Sequence, residues 1–238
     1  MHLGVVIAAG GVGSRMGTGE SKQLMMLAGQ PVLARSAAIF EAAPEVEEIV
    51  IVIDAPDTRR CRAEVVEPYG LGKVGNIVPG GENRAASVFN GLQRLSGDVD
   101  TVLIHDGARP LFPSELLASG LRDLAIGDCD GVVFALPLTD TVKEVGIGTR
   151  LITRTPDRSR LWAAQTPQIF KRAKLDKAYR VRPSVLAEAT DDSFLVERMG
   201  GWMKITPGSP ENIKITTPED IVIAEEILRR RENKEETR

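Results

Sequence analysis

Four short apolar runs, Leu3 to Ala8, Ile49 to Ile53, Thr101 to Ile104 and Val132 to Ala135, recur along the chain with amphipathic stretches between them. A run that is apolar at successive positions has no face to turn to water, so each predicts a strand covered on both sides, and the helical periodicity between the runs predicts the helices that do the covering. Those helices are expected at Val32 to Ala42, Arg84 to Leu95 and Ser114 to Leu124, the last opened by Pro113 and Ser114. A final helix carries the clearest end signals. Thr217 can cap it, Pro218 suits its first position, Glu219 and Asp220 sit in its first turn, and Arg229, Arg230 and Arg231 close it against the dipole. The tail from Glu232 to Arg238 is expected to fray. The pattern is that of an α/β chain with a mainly parallel sheet. With 238 residues, 42% of them hydrophobic, one core suffices, and a single domain over 1–238 is expected.

The rhythm breaks between Pro137 and Trp162. Thr141 to Val145 and Leu151 to Thr155 read as two strands around the turn Gly146-Ile147-Gly148, a projecting hairpin arm at about 137–162. Such a ribbon is marginal alone and needs a surface to pack on, and exchange of identical arms is a low-cost route to a two-fold dimer. A homodimer joined through Val142, Val145, Leu151 and Ile152 is therefore expected.

Thirty basic and 33 acidic residues leave a formal charge of -3, so nothing global marks a nucleic-acid or membrane-surface binder. Any affinity for phosphate must be local. Cys61 and Cys129 are too few for a disulfide framework and lack the spacing of a zinc site. Met1 leads straight into the short run from Leu3 to Ala9 without a basic leader or a membrane-length segment, and a cytoplasmic location is expected.

Directly after the first strand comes Ala9-Gly10-Gly11-Val12-Gly13-Ser14-Arg15-Met16-Gly17, followed by Ser21-Lys22-Gln23. Glycines let backbone N–H groups converge on an anion. A dinucleotide fingerprint would place a third glycine where Met16 stands, and a Walker loop would need Gly-Lys-Ser/Thr, which does not occur. What remains is a glycine loop with its own Arg15 and, seven residues on, Lys22. Two cations beside a phosphate cradle suit phosphoryl or nucleotidyl transfer. Asp106 follows an apolar strand, where ligands of open α/β sheets collect, and magnesium is its expected occupant. Asp98 and Asp100 precede that strand and read as a solvated turn.

The loop with Lys22-Gln23 resembles the signature of the 2-C-methyl-D-erythritol 4-phosphate cytidylyltransferases of the non-mevalonate isoprenoid pathway. So do Gly80 to Ser87, His105 to Pro110, Asp140 to Lys143, Asp157-Arg158 with Leu161-Trp162, Gln165 to Gln168, Thr190 to Asp192 and Asn212 to Thr216. The resemblance covers nearly the whole chain. It implies one nucleotidyltransferase domain of Rossmann-like type, a mostly parallel sheet flanked by helices with a projecting β-hairpin arm. It also implies transfer of a cytidylyl group from CTP to 2-C-methyl-D-erythritol 4-phosphate, releasing pyrophosphate.

By the same resemblance Arg15 and Lys22 flank the transferring phosphate. Ala9, Gly10, Gly11 and Gly13 hold the triphosphate, and Gly81, Glu82 and Ser87 hold cytosine, with Lys214 a further charge near CTP. Thr141, Arg158, Thr166, Thr190 and Arg109 fall to the acceptor's phosphate, Thr141 and Arg158 being supplied by the partner subunit so that each active site is shared. Arg109 can equally pair with Asp106, and Thr190-Asp191-Asp192 can equally cap a helix. Gly10-Gly11 stands where many relatives have Ala-Gly, and Glu211 where many have Asp. Two other readings share the sequence. A ribitol-5-phosphate cytidylyltransferase would present the same CTP half, and a catalytically silent nucleotide-binding regulator would keep the fold without turnover. A dehydrogenase is disfavoured by the missing fingerprint.

Overall fold

The computed structural model describes residues 1–10, 21, 23–180 and 183–236. Its strands and helices follow in chain order. The first half comprises β1 (Leu3–Ala8), β2 (Met26–Leu27), β3 (Gln30–Pro31), α1 (Val32–Glu41), β4 (Val46–Ile53), α2 (Thr58–Cys61), β5 (Val74–Pro79), α3 (Arg84–Leu92), β6 (Thr101–Asp106) and α4 (Leu117–Ile126). The second comprises β7 (Gly131–Pro137), β8 (Glu144–Val145), β9 (Ile152–Arg154), β10 (Trp162–Lys171), α5 (Arg172–Ala178), α6 (Pro183–Glu188), α7 (Asp192–Arg198), β11 (Met203–Pro207) and α8 (Pro218–Glu236). Among the described residues seven strands form one sheet in the order β11-β7-β10-β6-β1-β4-β5. All its pairings are parallel except those of β10, which runs antiparallel to both β6 and β7.

The chain runs outward from β1 to β4 and β5, then returns to β6 on the other side of β1. Loops that leave adjacent strands in opposite directions open a crevice at their carboxyl ends, and the register opposes Ala8 to Asp106 at its mouth. Apolar residues cover both faces. One core gathers Val5, Ile7, Phe40, Ile51, Leu103 and Phe134 on the side of α1 and α4, and the other Val6, Val52, Val88, Ile104, Phe170 and Leu195 on the side of α3, α5 and α7. A smaller cluster, Leu27, Val32, Leu111, Ile215 and Ala224, docks α8.

The expected strands and helices are present with shifted ends, the helix foreseen from Ser114 beginning as a 3-10 turn over Ser114–Leu116. The tail foreseen as frayed is helical to Glu236. Arg231 explains the docking of α8, since it donates to Glu211 and to the Leu111 carbonyl instead of closing the helix. The hairpin is present but shorter than expected, Glu144–Val145 against Ile152–Arg154, because a ribbon without a sheet beneath it sustains few ladder bonds. Its apolar side chains Val145, Ile147, Leu151 and Ile152 are exposed. The strand β10 escapes a sequence reading because Pro167 argues against a central strand, and a bulge between Ala164 and Gln168 removes that proline from the ladder.

The helix α3 lies close on the sheet at Gly91, where an added Cβ would stand 2.5 Å from Val6 Cγ1 and 2.7 Å from Val52 Cγ2. Gly91→Ala would gain up to about 1 kcal/mol of helix propensity but overpack two rigid β-branched neighbours, at about 1–3 kcal/mol. The expected result is a net loss of stability, read as a lower urea midpoint at unchanged slope; a raised midpoint would show that the helix lifts freely.

His105 sits fully buried in β6, edge-on to Phe40 at 4.9 Å and to Phe112 at 6.2 Å. Burial lowers its pKa from 6.5 to about 4. Between those values the unfolded chain binds the proton and the folded one does not, so this contribution is complete above about pH 6.5 and is lost as pH falls toward 4. Its size is about 3 kcal/mol. Denaturation midpoints between pH 7 and 5 should therefore slope downward in the wild type and flatten in His105→Asn. Equal slopes in the two proteins would locate the acid sensitivity elsewhere.

Candidate active site

A cleft of about 490 Å³ opens over the carboxyl ends of β1, β4, β5 and β6, lined by Ala8, Gly10, Gln23, Asp54, Gly81, Glu82, Asn83, Arg84, Ser87, Asp106, Ala108 and Lys214. A second cavity of about 230 Å³ is lined by Arg84, Asp106, Arg109, Ala164, Gln165, Thr166, Gln168, Thr190, Asp191 and Lys214. Arg84, Asp106 and Lys214 line both, so the two spaces meet at an ion cluster.

Asp106 is the last residue of β6 and only 7% exposed. Its Oδ1 accepts from Arg84 Nε at 3.2 Å and its Oδ2 from Lys214 Nζ at 2.7 Å, with Arg109 Nε 3.7 Å from the same Oδ2. Burial alone would raise the carboxyl pKa, but Arg84, Lys214 and Arg109 outweigh it and hold the group well below the usual carboxylate range. Arg84 also donates from Nη1 to Asp192 Oδ2 at 2.7 Å, and Tyr179 Oη donates to Asp192 Oδ1 at 2.5 Å. Burial works against the charge on Arg84, yet Asp192 and Asp106 more than restore it. Among the described residues three cations thus face two carboxylates, and Arg84 Nη2 and Arg109 Nε are buried without a hydrogen-bond partner. Unmet donors and surplus positive charge suit an anion with several oxygens, such as a phosphate.

Other contacts hold these charges in place. Arg109 Nη1 donates to the Asn212 carbonyl at 2.8 Å, and Asn212 Nδ2 donates to the Thr166 carbonyl at 2.9 Å and to Gln165 Oε1 at 3.2 Å. The Ile215 N–H donates to the Ala108 carbonyl at 2.8 Å, which anchors the segment carrying Lys214 beside the end of β6. On the cleft side Asn83 caps α3 by accepting from the Ala86 N–H at 2.8 Å. Ser87 Oγ donates to the Asn83 carbonyl at 2.9 Å and accepts from the Gly81 N–H at 3.0 Å, so its proton is already committed to holding the glycine turn. Only glycine fits at 81, where a Cβ would meet that of Ala86 at 2.6 Å.

Of the residues expected from sequence, Gly10, Gly81, Glu82, Ser87, Lys214 and Asp106 line the cleft, and Arg109, Thr166 and Thr190 line the second cavity. Ala9 is buried behind the cleft wall, its N–H donating to the Val52 carbonyl at 2.7 Å. Arg15, Lys22, Gly11 and Gly13 lie outside the described residues. Thr141 and Arg158 lie on the arm and line neither cavity. Asp191 caps α7 by accepting from the Phe194 N–H at 3.0 Å, and the Arg109–Asp106 pairing foreseen as an alternative is present.

The expectation of magnesium on Asp106 meets an obstacle. Both carboxylate oxygens already serve cations, Glu211 pairs with Arg231, and among the described residues no three of His, Cys, Asp and Glu gather. The described residues do not by themselves fit a magnesium site. Sequence reading included Arg84 and Asp192 in matching stretches but gave Arg84 no role in the site and Asp192 none beyond a helix cap, and it missed Tyr179. A signal existed for the first: an arginine one residue after a helix cap opposes the helix dipole and needs a carboxylate nearby.

The family model for 2-C-methyl-D-erythritol 4-phosphate cytidylyltransferase matches residues 3–230. The 2-C-methyl-D-erythritol 4-phosphate cytidylyltransferase of Geobacter metallireducens is 43% identical over 232 residues, covering 96% of this chain and 98% of that protein. The same-named protein of Pelotomaculum thermopropionicum is 42% identical over 233 residues, covering 98% and 96%. Among solved structures, the 4-diphosphocytidyl-2C-methyl-D-erythritol synthase of Anaerococcus prevotii superimposes with a TM-score of 0.80 at 29% identity over 96% of each chain. A family match over nearly the whole chain, joined to relatives above 40% identity that it spans almost end to end, means that the chain belongs to the 2-C-methyl-D-erythritol 4-phosphate cytidylyltransferase family.

Proposed function

We propose that the protein transfers a cytidylyl group from CTP to 2-C-methyl-D-erythritol 4-phosphate, releasing pyrophosphate, as a step of isoprenoid precursor synthesis. The observation that carries the reading is the meeting of two unequal cavities at a cationic cluster with unmet guanidinium donors. The larger has the room and the glycine turn for a nucleotide, and the smaller has the charge for a phosphate monoester. An oxygen of the acceptor phosphate attacks the α-phosphorus in line, the bond to the β-phosphate oxygen breaks, and pyrophosphate leaves with the electron pair. Negative charge grows on the non-bridging and leaving oxygens, where fixed cations stabilise it most.

In this scheme Lys214 and Arg84 face both substrates and Arg109 faces the acceptor alone. Arg15 and Lys22 take the transferring phosphate by family resemblance. Magnesium would enter as the counter-ion of the triphosphate and would supply further charge stabilisation at its oxygens.

Pyrophosphate release from CTP with 2-C-methyl-D-erythritol 4-phosphate, ribitol 5-phosphate or no acceptor tests the reading. The expected result is release with the first acceptor and little with the others. Faster turnover of ribitol 5-phosphate would reassign the acceptor, and CTP binding without release from any mixture would make the chain a silent regulator.

The finer reading is a homodimer in which the arm of one subunit completes the other's site. Its support is the arm itself, which exposes Val145, Ile147, Leu151 and Ile152 while its Thr141 and Arg158 line neither cavity of their own chain. Mixing an inactive Lys22→Ala chain with an inactive Arg158→Ala chain should restore turnover, because one site of the heterodimer inherits both lesions and the other neither. Absence of activity after verified subunit exchange would assign Arg158 to its own chain.

A further inference from the structure

Arg84 is the first residue of α3, where the helix dipole disfavours a cation, and it lines both cavities. Its guanidinium is shared between two carboxylates. Nε donates to Asp106 Oδ1 at 3.2 Å and Nη1 to Asp192 Oδ2 at 2.7 Å, while Nη2 is buried without a hydrogen-bond partner among the described residues. Nη2 is the nitrogen that would complete a two-point grip on either carboxylate. On Asp106 that grip would cost a second cation its seat, because Oδ2 already accepts from Lys214 Nζ at 2.7 Å.

Asp192 stands in the way of such a turn. It is fully buried at the first position of α7 and lines neither cavity. Its other oxygen, Oδ1, accepts from Tyr179 Oη at 2.5 Å. Burial and the neighbouring Asp192 raise the Tyr179 hydroxyl well above its ordinary pKa, so it keeps its proton and stays the donor. The tyrosine ring is buried in turn and stacks at 5.8 Å on Phe89, a residue of the helix that Arg84 opens. The carboxylate is therefore gripped from behind by a ring packed on α3 itself.

We propose that Asp192, locked by Tyr179, is a positioning residue that keeps Arg84 from closing a two-point grip on Asp106, so that Nη2 stays free for the transferring phosphate. Neither Asp192 nor Tyr179 lines a cavity, so both act through the guanidinium. With Asp106 alone the site would quench itself, its arginine pairing fully with its own carboxylate and displacing Lys214. With Asp192 holding Nη1, Asp106 keeps one oxygen for Arg84 and one for Lys214, and both cations remain directed at the junction of the cavities. This deepens the reading of the reaction as cytidylyl transfer and rests on it.

The test is steady-state kinetics on variants of the whole chain, with kcat expressed per folded protein. Tyr179→Phe removes the lock and keeps the ring, and Asp192→Asn keeps the size and drops the charge. The value of kcat should fall about threefold in the first and about tenfold or more in the second, with both KM values within about twofold. A donor that matters most as charge builds is read in kcat. In Arg84→Met, which keeps the stem and has no donor, kcat should fall about a hundredfold, and adding Asp192→Asn should lower it no further. Tyr179→Phe should likewise add nothing to Asp192→Asn.

A merely structural pair would lower the urea midpoint and leave kcat per folded protein unchanged, or would multiply its loss with that of Arg84→Met. Either result overturns the proposal, as does a raised KM at unchanged kcat. Should Arg84→Met fail to fold, the coupling between Tyr179→Phe and Asp192→Asn decides, and multiplied losses there would show that the two do not act in series. Lack of turnover in the unmodified enzyme would instead sink the reading of the reaction, before any variant is made.

Discussion

The carboxylate of Asp106, held at the carboxyl end of β6 between Arg84, Arg109 and Lys214, is the contact on which the rest of the site depends. Those cations come from distant parts of the chain: the start of α3, the loop after β6 and the segment before α8. Like charges so placed repel one another, and a buried carboxylate at their centre is what lets them converge. Asp192, with Tyr179 behind it, does the same for the far side of Arg84. The topology supplies the location, since the crevice between β1 and β6 is where the connections of the sheet diverge.

Much of this was legible in the sequence. The runs at Leu3, Ile49, Thr101 and Val132 are apolar at nearly every position, and burial on both faces leaves that mark whatever surrounds them. Asp106 announced itself by standing at the end of such a run. Gly81, singled out by the resemblance, lines the cleft, and its approach to Ala86 leaves no room for a Cβ. What stayed hidden depends on partners far away in the chain. The strand from Trp162 carries a proline that only its bulge accommodates, and no local pattern encodes a bulge. Arg84 and Asp192 are 108 positions apart, and a pairing at that separation has no periodicity to betray it.

The arm shows a different limit. Its turn residues and apolar positions are plain in the sequence, and the hairpin forms, held by Lys143 Nζ to Thr155 Oγ1 at 2.8 Å and Arg154 Nε to Glu144 Oε2 at 2.6 Å. Those contacts are exposed, and exposed pairs contribute little. Among the described residues none covers Ile147 or Leu151. A ribbon with exposed apolar residues on so few ladder bonds gains from a partner surface what it lacks from its own sheet, which is the physical content of the shared-site reading.

Buried ion clusters are poor devices for stability. Removing charges from water costs several kcal/mol each, and well-packed apolar residues of similar volume often do as well or better. The cluster around Asp106 is costlier than a balanced one, because among the described residues its cations outnumber its carboxylates and two guanidinium nitrogens have no hydrogen-bond partner. A chain selected for stability alone would have little reason to retain it. The imbalance has a use only when an anion enters, supplies the missing charge and accepts the idle N–H groups. Part of the desolvation cost is then met during folding, before substrate arrives, and the incoming phosphate finds donors already stripped of water. Preorganisation of that kind strengthens as charge on the ligand grows. Residues that bound a ground-state phosphate in this way would favour, by a larger margin, the more highly charged arrangement of a transferring phosphate, which is the physical content of the proposed role.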